Sequence, residues 1–244
     1  MGLFITFILG IFLFAGAVIA RSVKDTELIE HLSISIGFGT MLALGIMEIL
    51  PEALENLEGA SILTLPVCLA LGVAILKLLD HFVPEHDHAH GLHHDCTEEN
   101  VIHIGVVSSV AVILHNIIEG MAVYSMAQDS LRVGLLMALG VGLHNIPMGM
   151  VIYTTLQKEK RTPKLILLAA TTFSTFIGGL LMMFFWGSVS ERVIGILMCL
   201  ALGMLVYIVF FELLPHMLHG EDKKLSLTGA LLGVGIICIS LLFG

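Results

Sequence analysis

Eight runs of apolar residues, at 2–20, 32–51, 60–83, 101–127, 131–156, 163–187, 192–214 and 225–243, fill almost all of this 244-residue chain. A helix needs about 20 such residues to cross the hydrocarbon of a bilayer. A chain written this way is confined to one architecture: an all-α, polytopic membrane protein, a bundle of eight transmembrane helices. Charged residues make up only 13% of the chain, about half the share of a soluble domain. No Lys or Arg precedes the first run, and it exceeds the 7–15 residues of a signal-peptide core, so it reads as a retained span. Residues 1–244 form a single transmembrane domain on this reading.

Orientation follows from the cations, which stay on the cytoplasmic side of short loops. With eight spans, Arg21, Lys24, Lys77, Lys158, Lys160, Arg161, Lys164, Lys223 and Lys224 fall on one side, and only Arg132 and Arg192 on the other. Both termini are therefore expected on the extracytoplasmic face. A net charge of −9 argues against nucleic acid, which needs a basic surface. Cys68, Cys96, Cys199 and Cys238 show no disulfide framework or metal-binding spacing.

The one long polar insertion, "PEHDHAHGLHHDCTEEN" at 84–100, carries five His and five acids. It cannot form a core and is expected to be a mobile cytoplasmic loop. His86, His88, His90, His93 and His94 at this density suit capture of divalent metal.

Two short similarities organise the rest. "LHNIIEGMAV" at 114–123 returns as "LHNIPMGMVI" at 143–152, and "MEILPEALE" at 47–55 returns as "FELLPHMLH" at 211–219. The second pair aligns Glu48 with Glu212, Glu52 with His216 and Glu55 with His219, on spans that run in opposite directions. That is the pattern of an inverted repeat, with spans 1–3 related to spans 6–8 around central spans 4 and 5. Glu52 and Glu55 then line an outer mouth, and His216 and His219 an inner one.

Residues four apart share a helix face, so His115 and Glu119 offer a nitrogen and a carboxylate to one point, and His144 with Met148 does likewise on the next span. On span two, Met41, Gly45, Glu48, Glu52 and Glu55 recur at 4-3-4-3 spacing and should form one stripe. Pro147 has no N–H and crowds the residue-143 carbonyl, which should break span five and free the Leu143 oxygen. Unpaired, the polar side chains His115, Asn116, Glu119, His144, Asn145, Glu48 and Glu212 would together cost on the order of 10 kcal/mol in hydrocarbon. A divalent cation satisfies two imidazoles and a carboxylate at once, and such donors suit Zn²⁺ and its first-row neighbours.

At these residues the chain resembles the ZIP (Zrt-, Irt-like protein) family of divalent metal transporters, over essentially its whole length. The resemblance implies transport of Zn²⁺ or a similar divalent ion across the cell membrane, toward the cytoplasm. It places His115, Glu119 and His144 at the family's main metal site, with Met41 a further ligand, and puts Asn116 and Asn145 at a neighbouring second position. Two departures matter. Met148 stands where the family's fifth helix commonly has a bridging Glu, and Thr175 and Phe176 stand where its sixth often has Glu-Pro. Both remove acid, leaving one metal held by two His, one Glu and a thioether. A membrane-embedded zinc hydrolase would need a general base beside the metal, and no His-Glu-x-x-His string occurs. A metal-gated sensor would not need the polar stripes. The expected partners are the metal substrate and the bilayer, and a homodimer is compatible with the reading.

Overall fold

The structure, a computed structural model, describes residues 1–82, 98–157, 161–185, 189–219 and 222–242. Eight described helices are long and apolar enough to cross a membrane. We number them α1 (Gly2–Ser22), α2 (Thr26–Asn56), α3 (Thr64–Phe82), α4 (Glu98–Asp129), α5 (Leu131–Thr155), α6 (Arg161–Phe185), α7 (Glu191–Leu218) and α8 (Lys223–Ser240). Each matches one of the eight apolar runs. Glu98–Asn100, read from sequence as the end of the polar loop, is instead the first turn of α4. The loop histidines lie outside the described residues.

Helix starts are set by short polar side chains that accept from otherwise unpaired N–H groups. Asp25 accepts from Leu28 N–H at 3.0 Å, Ser130 from Val133 at 3.5 Å, Ser190 from Val193 at 3.4 Å, and Asp222 from Lys224 and Leu225. Within the spans most hydroxyls bond back to the preceding turn, as Thr40 does to the Ile36 carbonyl at 2.8 Å, and so satisfy themselves within the apolar interior.

The helices pack in two groups. α1, α4, α5 and α6 form one, and α2, α3, α7 and α8 the other; they meet where α5 lies against α2 and α8 and where α4 lies against α7. α2, α4 and α5 are the most enclosed, whereas α3 is peripheral. Lipid tails are as apolar as Leu, so helices associate here through close packing of small residues. Four crossings carry a glycine on each helix set against the other's backbone: Gly16 and Gly149 join α1 to α5, Gly120 and Gly178 join α4 to α6, Gly39 and Gly233 join α2 to α8, and Gly72 and Gly203 join α3 to α7. At each of the eight, an added Cβ would overlap a carbonyl oxygen of the partner helix.

Two expectations about local geometry are corrected. Pro147 does not break α5, which runs uninterrupted from Leu131 to Thr155 with the proline buried inside it. Flanking hydrogen bonds and packed neighbours carry the helix past one missing donor. The irregularities fall elsewhere. α2 widens into a π turn at Gly45–Ile49, with the Leu50 N–H reaching back to Gly45, and α7 does the same at Ile208–Leu213, with Leu214 reaching Val209. In each case a leucine and then a proline, Pro51 or Pro215, follow and the helix continues beyond them. The π turn inserts an extra residue into the α spiral, so the stripe from Met41 to Glu55 is not one straight edge. Met41 is buried, Glu48 and Glu52 are half-buried, and Glu55 is exposed.

Candidate metal centre

α4 and α5 lie side by side with their His-Asn pairs at matching depth. One turn of α4 separates His115 from Glu119, and α5 brings His144 onto the same carboxylate. His144 Nε2 lies 2.8 Å from Glu119 Oε1. An ionised carboxylate can only accept, so the imidazole donates. His115 Nε2 stands 3.6 Å from the same oxygen, and the two imidazole rings are 6.4 Å apart at an angle of 44°. One ligand atom from each of the three residues falls within 4.8 Å of the others, and all three are buried. An ion bonded to nitrogen and oxygen at about 2.0–2.2 Å fits among them after a small inward rotation of the side chains.

The surroundings leave many polar atoms without partners. His115 Nε2, His144 Nδ1, Glu119 Oε2, Glu48 Oε2, Asn116 Oδ1, both amide atoms of Asn145 and the Thr175 hydroxyl are buried and make no hydrogen bond among the described residues. Each such atom costs about 1–3 kcal/mol. All but the Asn145 amide nitrogen can bear a lone pair toward a cation. Glu48 enters from α2: its Oε2 is 3.9 Å from His144 Nδ1, on the opposite ring edge from Glu119. A cavity of about 20 Å³, room for one water-sized guest, is lined by Glu48, Glu52, His115 and Glu119.

The remaining residues singled out from sequence are placed as follows. Asn116 Nδ2 reaches the Thr171 carbonyl on α6 at 3.5 Å, and Asn145 is fully buried. Met41 and Met148 are both buried in the main apolar core. Glu212 and His216 are half-buried on α7, and both are engaged with other groups. The side chain of His219 lies outside the described residues. Sequence reading passed over Ser108, buried and unpartnered two turns before His115; its i, i+7 spacing was the available signal. It also missed the 2.8 Å hydrogen bond from Tyr207 on α7 to Asp80 on α3, which no local pattern announces.

Comparison with known proteins gives consistent matches. The family profile described as "ZIP Zinc transporter" matches residues 84–241. The zinc transporter ZupT of Chlorobium luteolum is 32% identical over 262 aligned positions, covering 98% of this chain and 96% of the relative. ZupT of Chlorobium chlorochromatii is 30% identical over 86% of this chain and 85% of its own length. ZupT of Campylobacter jejuni is 30% identical over 93% of this chain and 90% of its own.

Proposed function

Because this chain belongs to the ZIP family of zinc transporters, we propose that it carries Zn²⁺, or a similar first-row divalent ion, across the cell membrane into the cytoplasm through a site built on His115, Glu119 and His144. It is a transporter rather than a membrane hydrolase, as its relatives are. The observation that carries the site is the convergence of three buried donors from α4 and α5 on one point, ringed by unpartnered lone-pair atoms.

In this reading Glu55, exposed, and Glu52, half-buried, gather cations at the outer end of α2 and pass them to the cavity. There two imidazoles and Glu119 replace water, and Glu48 supplies a second carboxylate from α2. Release proceeds past Glu212 and His216, with His219 and the histidines of 84–97 receiving the ion. Conduction needs binding weak enough to release, and a donor set half made of neutral imidazoles meets that need. The helix pairings support an inverted repeat. Trading α1–α3 for α6–α8 and α4 for α5 turns the α1–α5 contact into α6–α4 and the α2–α8 contact into α7–α3. The two π turns trade places in the same way.

The test is uptake of Zn²⁺ into vesicles containing purified protein, with Ala placed singly at His115, Glu119 and His144. Each variant is expected to insert and to lose saturable uptake by about tenfold to a hundredfold, the scale of loss when a metal site is disturbed. Wild-type rates in all three would overturn the assignment.

A further inference from the structure

α1 and α6 run antiparallel and touch where Gly10 meets the Thr172 carbonyl. On the lipid side of that contact lies an open groove of about 330 Å³. Phe7, Ile11 and Phe14 of α1 and Leu165, Ala169 and Thr172 of α6 line it. One end is closed by aromatic rings, Phe7 packing against Phe173 at 6.3 Å and edge-on against Phe176 at 6.0 Å.

The other end is basic. Along α1, Phe7, Ile11, Phe14, Val18 and Arg21 recur at 4-3-4-3 spacing, which puts them on one face, and all five are exposed. Lys164 directly precedes Leu165 at the start of α6. Its ammonium lies 4.1 Å from the centre of the Tyr153 ring, which holds it in place, and the charge of Arg21 acts on it. Among the described residues neither cation has a carboxylate within ion-pairing distance.

An exposed apolar face on a membrane helix ordinarily meets disordered lipid and needs no explanation. This face adds a groove and, at one end only, a pair of cations with no ion-pair partner among the described residues. From Phe7 to Arg21 is fourteen residues, about 21 Å along the helix, which is about half of a bilayer 40–45 Å thick with its headgroups. Basic pockets between transmembrane helices recognise anionic headgroups. We propose that this groove seats one acyl chain of an anionic phospholipid, with its phosphate held between Arg21 and Lys164. A second copy of the chain fits less well. A two-fold axis along the membrane normal would bring Arg21 and Lys164 to the same depth as their own counterparts, setting like charges together.

The full chain in an equimolar mixture of phosphatidylglycerol and phosphatidylcholine tests this, with retained lipids counted by native mass spectrometry. One phosphatidylglycerol per chain should be retained with a preference of about tenfold or more over phosphatidylcholine. Arg21→Gln with Lys164→Gln should abolish the preference. Ala169→Trp, which fills the groove without changing charge, should expel the lipid, and Thr172→Leu serves if that variant fails to insert. Lys223→Gln with Lys224→Gln removes the same charge elsewhere and should change nothing. The proposal is overturned if phosphatidylglycerol is retained no better than phosphatidylcholine, or if the charge and groove variants retain it like wild type. It is equally overturned if the groove variant splits a dimer that holds no lipid. None of these residues is a metal ligand, so failure here leaves the transport reading standing.

Discussion

Met148 lies one turn beyond His144 and is fully buried in apolar core, at the position where the resemblance to the ZIP family implies a bridging acid. Two divalent ions about 4 Å apart in a low-dielectric site repel strongly, and with Glu119 and Glu48 both given to the first ion, neutral Asn116, Asn145 and Thr175 cannot offset that repulsion at a second. One ion per chain is therefore expected in the core. Met148→Glu should raise the number toward two, measured by elemental analysis on protein lacking 84–97 so that loop-bound metal is not counted. The same variant has an opposite effect without metal, because a lone buried carboxylate costs on the order of several kcal/mol. Its thermal midpoint should fall below wild type in chelator and recover with Zn²⁺. Two fully occupied core metals before the substitution would refute the single-ion reading. The grouping of His115, Glu119 and His144 was legible in the sequence because a four-residue step on one helix and a repeated His-Asn string fix their relative depth. The approach of Glu48 to the far edge of His144 was not, since it depends on how α2 is wound and where it crosses α5.

At the scale of helices, the glycine crossings decide how near the backbones come. Ala in place of an exposed helical Gly stabilises by about 0.5–1 kcal/mol, so the sign of a Gly→Ala change reports the contact. A Cβ on Gly149 would overlap the Leu13 carbonyl oxygen, whereas one on Gly235 meets nothing within 4 Å. Gly149→Ala is expected to destabilise by about 1–3 kcal/mol, the cost of overpacking, and Gly235→Ala to leave the thermal midpoint unchanged or raise it. Equal effects from the two would mean that α1 and α5 do not meet at this point. Helix number and approximate bounds could be read from apolar run length alone. The π turns could not, because periodicity counting assumes a uniform 3.6-residue turn, and one inserted residue shifts every later position. The sequence did point to the right places, Glu-x-x-Pro in both α2 and α7, but located the interruption at Pro147. That proline lies within a helix held by neighbours on several sides, while Pro51 and Pro215 each follow a turn that is already widened.

For the whole molecule, the face that meets the cytoplasm sets the direction of metal movement, and the chain carries its own reporter of that face. Nine of eleven cations are assigned to one side, a bias that sets orientation when it falls in short loops, and Cys96 in the polar loop belongs to that same side. The other cysteines are poor competitors for a water-soluble reagent. Cys68 and Cys199 are buried, and Cys238 is exposed within α8, two residues before its end. Cys238→Ser therefore removes the exposed thiol within the spans and leaves Cys96, in the polar loop, as the one to be labelled. A membrane-impermeant maleimide applied to intact cells should leave this variant unlabelled, and permeabilising the cells should label it fully. The lipid proposed between α1 and α6 would then sit in the inner leaflet, because Arg21 and Lys164 belong to the same set of cations as the loop that holds Cys96. Labelling of Cys96 from outside would invert the bundle, place the Glu52 and Glu55 mouth in the cytoplasm, and turn the proposed direction of metal movement around with it.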